Sequence, residues 1–191
     1  MNLRTLTWNI GGGKLLRSGE DPELMASYTV HGIDAIANRV RESNADVITI
    51  QEAHGNDGDN QIAQIARVLG YEHYFYDATS DSHIDPAYKL GNGLISRFPI
   101  TGVQTGRFHN PQLTFEIEGR TAFTHDKGYG SCMIHMGNIV IYATSLHLIP
   151  FRSVGLEFDS EEAQQILTSV STELKSREEV AYRLIQGDFN I

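Results

Sequence analysis

The stretch AYRLIQGDFN, residues 181–190, joins an apolar run to two polar side chains with complementary chemistry. Residues 181–185 are predicted to form a strand, and Asp188 and Asn190 follow it two positions apart. Side chains at this spacing leave a strand-like backbone on the same side. One is an anion, and the other both donates and accepts hydrogen bonds. The pair therefore suits a phosphate ester and an attacking water.

Three further polar residues follow apolar, strand-like runs elsewhere in the chain. They are Asn9 in LTWNI, Glu52 in VITIQE and His147 in IYATSLH. If the strands that lead to these residues and to Asp188 point the same way, their polar ends meet at one rim. Open α/β sheets bind ligands at such a rim.

Composition favours one compact α/β domain over residues 1–191, because 40% of the residues are apolar. No run approaches the ~20 apolar residues of a membrane span, and the N-terminus has no basic and apolar leader. The single cysteine, Cys132, lies in an alternating run that predicts core packing. One unpaired cysteine fits a reducing compartment, so we expect a cytoplasmic protein. We also expect a monomer.

The formal net charge of -9 argues against a protein that coats polyanions by electrostatics alone. An acidic chain still acts on phosphates when a metal ion neutralises the site.

Helical periodicity recurs at three places along the chain. Residues 31–43 and 62–69 each precede a strand, and Gly70 is placed to end the second helix. A third amphipathic stripe covers residues 163–174, with Asp159 as the expected N-cap.

The middle of the chain instead contains strand-like runs with no helix between them. Gly137 and Asn138 predict a two-residue hairpin turn, and residues 79–89 predict an exposed excursion between strands. Helix and strand alternate early and late, with a meander between, which indicates two mixed sheets with helices outside, a layered α/β sandwich.

The polar residues at the expected rim match the needs of a metal-dependent hydrolase. Magnesium is typically bound by one or two carboxylates plus phosphate oxygens, which fits Glu52 with Asn9. Asp188 is suited to orient or deprotonate a water, and Asn190 to hold a nonbridging phosphate oxygen. His147 is suited to donate a hydrogen bond to the developing charge.

Each of these residues also has a structural explanation. Asn9 could cap the turn at residues 11–13, and His147 could be a satisfied buried histidine. Asp188 and Asn190 could form an ordinary Asx turn, and Glu52 could be a surface carboxylate at a strand end. Asn92, in GNGLISR, could reach the phosphate or simply form a turn between glycines. Lys127 could approach a substrate phosphate, but a solvated lysine is the favoured interpretation.

With these residues in place, the chain resembles the endonuclease, exonuclease and phosphatase superfamily, whose fold is DNase I-like. Five blocks occur in the family's order over essentially the whole chain: TWNIGG, ADVITIQE, GNGLISRFPI, IVIYATSLHL and QGDFN. The resemblance implies a DNase I-like sandwich of two mixed β-sheets packed face to face. It also implies that Asn9 and Glu52 bind Mg²⁺ or Mn²⁺, that Asp188 and Asn190 contact nucleophile and phosphate, and that His147 contacts the scissile phosphate.

The sequence departs from the family pattern at its end. Family members continue past the GD(F/L)N block to further strands and a closing Asp-His pair, and nothing after Ile191 supplies them. The chain is then a fragment, or a partner supplies the rest, or the active site is incomplete. We favour a fragment, because an active-site strand at the very end would leave a sheet edge unpaired.

These observations predict a magnesium- or manganese-dependent phosphodiesterase or nuclease that uses in-line attack by water. Its expected partner is a phosphate-ester substrate, including nucleic acid. A first alternative keeps the chemistry but acts on a phospholipid, an inositol phosphate or another small phosphate ester. A second alternative is a non-catalytic binding module of the same fold.

Overall fold

The computed structural model describes residues 2–22, 24–56, 58–117, 119–175 and 180–190. The strands are, in chain order, β1 (Thr5–Asn9), β2 (Lys14–Leu16), β3 (Tyr28–His31), β4 (Val47–Asn56), β5 (Asp59–Asn60), β6 (His73–Asp81), β7 (Lys89–Ser96), β8 (Ile100–Arg107), β9 (Thr114–Ile117), β10 (Arg120–Phe123), β11 (Gly128–Met136), β12 (Ile139–His147) and β13 (Arg183–Asp188). The helices are α1 (Ile33–Ser43), α2 (Gln61–Leu69) and α3 (Glu161–Lys175).

Two mixed sheets form the centre of the molecule. The first has the order β1-β4-β7-β6, with the short β5 paired to β4, and the second has the order β13-β12-β11-β8. In each sheet one edge pair is parallel, β1 with β4 and β12 with β13, while the other main pairs are antiparallel. Two hairpins, β2–β3 and β9–β10, stand apart from both sheets.

The sheets pack face to face through apolar side chains from both. This core contains Val47, Phe75 and Leu94 from the first sheet and Cys132 and Ile134 from the second. Cys132 is fully buried, and burial raises the pKa of its thiol to about 12. The expectation that Cys132 packs in the core is confirmed.

The helices lie outside the two sheets. On α1 and α2, Ile36, Val40 and Ile65 pack against the first sheet, and on α3, Val170 packs with Leu146 of the second. The layered α/β sandwich with two mixed sheets and outer helices is therefore confirmed.

Local chemistry sets the helix ends. Asn60 Oδ1 accepts a hydrogen bond from the Ala63 amide at 2.9 Å, and Gly70 ends α2 with a left-handed φ of 71°. The predicted N-cap of α3, Asp159, is wrong. Ser160 holds that position instead, because its Oγ accepts from the Ala163 amide at 3.2 Å.

Other predictions need new bounds. The excursion predicted for residues 79–89 is shorter, because β6 runs on to Asp81 and β7 begins at Lys89. The turn at Gly137 and Asn138 is confirmed, since Met136 pairs with Ile139 across it. In the part of the chain that the structure describes, no helix is both long and apolar enough to cross a membrane.

Candidate active site

Four of the predicted site residues meet where the two parallel strand pairs lie side by side. Asn9 ends β1, His147 ends β12 and Asp188 ends β13. Asn9 Nδ2 donates to Asp188 Oδ2 at 2.9 Å, which joins the two sheets. His147 Nε2 lies 3.7 Å from Asp188 Oδ2 and 3.8 Å from Glu52 Oε1. The predicted convergence of these four side chains is confirmed.

Glu52 reaches this cluster in a different way from the other three residues. It does not end its strand, because β4 continues to Asn56. Instead it lies at a β-bulge between Ile50 and Ala53, with a left-handed φ of 54°. Such a conformation costs about 1–3 kcal/mol for a residue other than glycine and occurs preferentially at functional sites. The bulge allows the neighbouring Gln51 to stay buried between the sheets, where its Nε2 donates to Ser145 Oγ.

Asp188 is held on both oxygens. Oδ2 accepts from Asn9, and Oδ1 accepts from the backbone amide of Asn190 at 3.1 Å. The carboxylate thus closes an Asx turn and faces the cluster at the same time, so the structural and the functional interpretations coexist. Gly187 precedes it in register with Leu146, and a side chain there would collide with the Leu146 carbonyl.

Asn9 likewise satisfies both interpretations. Its Oδ1 accepts from the Gly11 amide at 3.1 Å and caps the turn, while its Nδ2 reaches Asp188. The turn therefore fixes the rotamer that places the amide at the rim.

Lys127 is the residue that the sequence interpretation misjudged most. It is not solvated but 8% exposed, and its Nζ lies 3.3 Å from Glu52 Oε1 and 3.2 Å from His147 Nδ1. The register of the β11–β12 hairpin, which follows from the predicted turn, indicates the position of Lys127. Counting back from the Gly137 turn pairs Gly128 with His147, which puts Lys127 beside the cluster.

Burial controls the protonation of both basic groups. Burial, followed by the charges of Lys127 and His83, lowers the pKa of His147 well below its usual range, so the ring is neutral near pH 7. Burial also lowers the pKa of Lys127, and the neighbouring carboxylate of Glu52 partly offsets that effect. The cluster therefore contains one neutral imidazole, and Lys127 Nζ lies 3.3 Å from the Glu52 carboxylate.

Asn92 is not in a turn, so that alternative is wrong. It lies in β7 opposite the bulge, is 1% exposed, and its Nδ2 donates to the Gly128 carbonyl at 3.0 Å. This bond ties the first sheet to the strand that follows Lys127. Contact of Asn92 with substrate stays a prediction.

Asn190 is turned away from the four residues that meet in the cluster. β13 ends at Asp188, and Asn190 follows with a left-handed φ of 51°, so the shared strand face predicted for the two residues is wrong. Its Nδ2 donates to the Leu148 carbonyl at 2.8 Å, and it lines a separate cleft with Phe151 and Arg152.

Two histidines that the sequence interpretation passed over lie beside the cluster. His83 and His125 stack with ring centroids 4.8 Å apart. His83 lies in the segment predicted as an exposed excursion, and His125 precedes Lys127 by two residues. No local pattern links them, because each is brought in by a different connection between strands.

Two cavities open on either side of Glu52 and His83, which line both. One of about 390 Å³ also contacts Trp8, Asn9 and Lys14. The other, of about 360 Å³, lies towards Lys127 and the β9–β10 hairpin. The polar cluster thus has room for a ligand on two sides.

The donor set fits magnesium better than a metal held entirely by protein. Among the described residues, no group of three or more His, Cys, Asp and Glu side chains could hold a metal ion. Magnesium usually keeps several waters and takes only one or two carboxylates. The Glu52 carboxylate and the Asn9 amide line one cavity and form such a sparse set. Lys127 contacts Oε1 of Glu52, whereas no hydrogen bond between described residues uses Oε2.

The fold and the polar rim define a two-sheet α/β protein with its polar cluster at the ends of two parallel strand pairs. The sequence model of the Endonuclease/Exonuclease/phosphatase family matches residues 6–191. The chain therefore belongs to the endonuclease/exonuclease/phosphatase family.

Solved structures share this fold at low sequence identity. The crystal structure of an endonuclease/exonuclease/phosphatase from Beutenbergia cavernae DSM 12333 is similar with a TM-score of 0.70 and 21% identity, over 99% of this chain and 47% of that one. An endonuclease/exonuclease/phosphatase family protein from Leptotrichia buccalis C-1013-b is similar with a TM-score of 0.63 and 18% identity, over 100% of this chain and 69% of that one. The crystal structure of ANGEL2, a 2',3'-cyclic phosphatase, is similar with a TM-score of 0.57 and 16% identity, over 82% of this chain and 42% of that one.

These likenesses show the fold. The chain spans 47% of the Beutenbergia structure and 42% of ANGEL2, so it corresponds to part of those proteins. No functionally curated protein sequence matches the chain significantly.

Proposed function

We propose that the protein is a metal-dependent hydrolase of phosphate esters, foremost a phosphodiesterase or nuclease that uses in-line attack by water. The observation that carries this proposal is the meeting of Asn9, Glu52, His147 and Asp188 from two separate sheets. Their contacts of 2.9–3.8 Å create one site from residues up to 179 positions apart in sequence. Membership of the family supports the same chemistry.

The first sheet is proposed to hold the metal. Glu52 and Asn9 would bind Mg²⁺ or Mn²⁺, which when bound neutralises phosphate charge and polarises the ester. The bulge at Glu52 presents its carboxylate to the cavity, and the turn at Gly11 holds the Asn9 amide in place.

The second sheet is proposed to act on the water and the phosphate. Asp188 accepts a hydrogen bond from Asn9 Nδ2 and would accept a proton from, or orient, the attacking water. His147 is kept neutral by burial and donates a hydrogen bond to a phosphoryl oxygen. Lys127 adds a buried positive charge beside the place where negative charge develops.

Asn92 and Asn190 have indirect or conditional roles in this proposal. Asn92 would act through its bond to the Gly128 carbonyl, which holds the strand after Lys127. Asn190 would need to exchange its bond to Leu148 before its amide could hold a phosphate oxygen.

The test is hydrolysis of a substrate panel with and without chelator. The panel contains labelled single-stranded and duplex DNA, RNA, dinucleotides, glycerophosphodiesters, phospholipids and inositol phosphates. We expect Mg²⁺- or Mn²⁺-dependent cleavage that falls by about 10²–10⁴-fold in Asp188→Asn, the usual contribution of a proton-transfer group.

The panel also separates the alternatives. The acidic net charge of -9 favours a small phosphate ester or lipid, and activity confined to those substrates would replace the nuclease assignment. No turnover of any ester, with ligand binding retained, would establish a non-catalytic module and overturn the hydrolase proposal.

A further inference from the structure

The cavity of about 360 Å³ beside Glu52 has a wall that the proposed chemistry does not use. This wall is the β9–β10 hairpin, which belongs to neither main sheet. Neither Phe115 nor Phe123 belongs to a buried core cluster of the described residues.

Pairing within the hairpin directs one face to the cavity. Phe115 and Ala122 are cross-strand partners, and Arg120 lies two residues before Ala122 on the same face. All three line the cavity. Phe123 pairs with Thr114 and therefore lies on the opposite face, but it ends the strand, is 57% exposed and also lines the cavity. The hairpin thus presents the Phe115 ring and the Arg120 guanidinium group on one face, with the Phe123 ring at its end.

The opposite side of the cavity is formed by the site itself. His83 and His125, stacked at 4.8 Å, line it together with Glu52 and Lys127. A ligand that fills the cavity therefore touches the phosphate site at one end and flat, π-bearing groups at the other.

Size and charge limit the ligand. About 360 Å³ is near the lower end of the ~300–1,000 Å³ range of small-molecule pockets, enough for one nucleotide-sized unit. The cavity offers Arg120 and Lys127, whereas a groove that follows a long polyanion needs a basic stripe. Aromatic faces and an arginine are the groups that stack on nucleobases.

We propose that this cavity is a nucleobase subsite, in which the base attached to the scissile phosphate stacks on Phe115, with Phe123 at the edge of the subsite. The proposal rests on the phosphoester hydrolase function proposed above and names its substrate class as short nucleotides or nucleotide chain ends. Arg120 closes the subsite by stacking on the base or by contact with a flanking phosphate.

The deciding variant is Phe115→Leu/Phe123→Leu, which keeps apolar volume and removes both rings. The variant and wild type are assayed on a dinucleotide and on the same dinucleotide from which one base has been removed. We expect KM for the intact dinucleotide to rise roughly tenfold, the effect expected for loss of a base–aromatic stack, with kcat little changed. KM for the abasic substrate should stay the same.

Two controls make the result specific to the cavity. Tyr182→Leu alters an aromatic residue that is also 57% exposed, but outside this cavity, and should leave both KM values unchanged. Phe115→Tyr/Phe123→Tyr keeps the rings and should restore binding. An equal loss on intact and abasic substrates, or no loss at all, would overturn the subsite.

A binding measurement separates this inference from the proposed function. In Asp188→Asn with Mg²⁺, a nucleoside monophosphate should bind more tightly than ribose 5-phosphate, and the double leucine variant should remove that difference. If wild type cleaves no ester but this difference holds, the subsite stands and the hydrolase proposal fails. If esters are cleaved and the difference is missing, only the subsite fails.

Discussion

The two sheets deliver their halves of the site by opposite means. In the second sheet, His147 and Asp188 face each other in regular register at the ends of β12 and β13. In the first sheet, Glu52 reaches the rim only through a bulge with a left-handed φ of 54°. The second half follows from ordinary strand pairing, whereas the first half depends on a local irregularity that the surrounding fold must hold in place.

The largest expected effect tests whether the halves have separate tasks. Glu52→Gln keeps the size of the side chain and removes the carboxylate proposed to bind metal. We expect the Mg²⁺ concentration for half-maximal activity to rise by at least about 100-fold, since even the outer partners of metal ligands contribute 10–100-fold. Metal titrations of activity measure this shift.

The matched variant lies in the other sheet. Asp188→Asn should lower kcat while the Mg²⁺ requirement stays near that of wild type. An equal shift in metal requirement for both variants would show that the two halves do not divide the work.

The next effect concerns Lys127, which joins the halves through Glu52 and His147. Its positively charged Nζ lies 3.3 Å from Glu52 Oε1. In Lys127→Met this charge is lost, so Mg²⁺ should stabilise the variant more than wild type, by roughly 1.5–3 kcal/mol for a charge-assisted hydrogen bond. Thermal unfolding with Mg²⁺ and with chelator measures the stabilisation by Mg²⁺ in the variant and in wild type.

Lys89→Met is the control for charge alone. Lys89 pairs with Asp81 at the surface, where ion pairs contribute little. Its Mg²⁺-dependent change in Tm should equal that of wild type, and the same change in Lys127→Met would contradict a role for Lys127 as counter-charge.

A smaller effect probes the regular half. Gly187→Ala would push a methyl group against the Leu146 carbonyl across the β12–β13 pair, with backbone atoms that have little room to yield. We expect a loss of about 1–3 kcal/mol in the free energy of unfolding, the usual cost of overpacking. Gly70→Ala, with open space around it, should cost less because only its left-handed backbone is disfavoured. Denaturant unfolding ranks the two.

The smallest effect distinguishes two neighbouring residues before α3. Ser160→Ala should cost about 1 kcal/mol, because the Ala163 amide loses its cap. Asp159→Ala should change the free energy of unfolding by less than half of that. A larger loss for Asp159→Ala would restore the cap predicted from the sequence.

Regular structure and strand-end chemistry were predictable because both are written in neighbouring residues. The stripe of Ile62, Ile65 and Ala66 marked α2, and Asn9, His147 and Asp188 each followed an apolar run. The capping of α3 was missed by one residue, since Asp and Ser are both good caps and only the hydrogen bond selects between them.

The remaining site residues were not predictable in the same way. Glu52 was expected at a strand end, yet β4 continues and the bulge alone explains its position. His83 and His125 come from separate connections and meet only through packing. Asn190 has a strand-like spacing from Asp188, but a left-handed φ directs its amide to Leu148.

The sequence by itself determined the two-sheet family fold and the residue types at the rim, because periodicity and strand-end residues act over a few positions. Only the tertiary structure decided which groups share the site. Lys127 became a buried partner of Glu52, and Asn9 a partner of Asp188, through strands from opposite sheets. The physical reason is that a hydrogen bond needs its two atoms about 3 Å apart in space, whatever their separation along the chain.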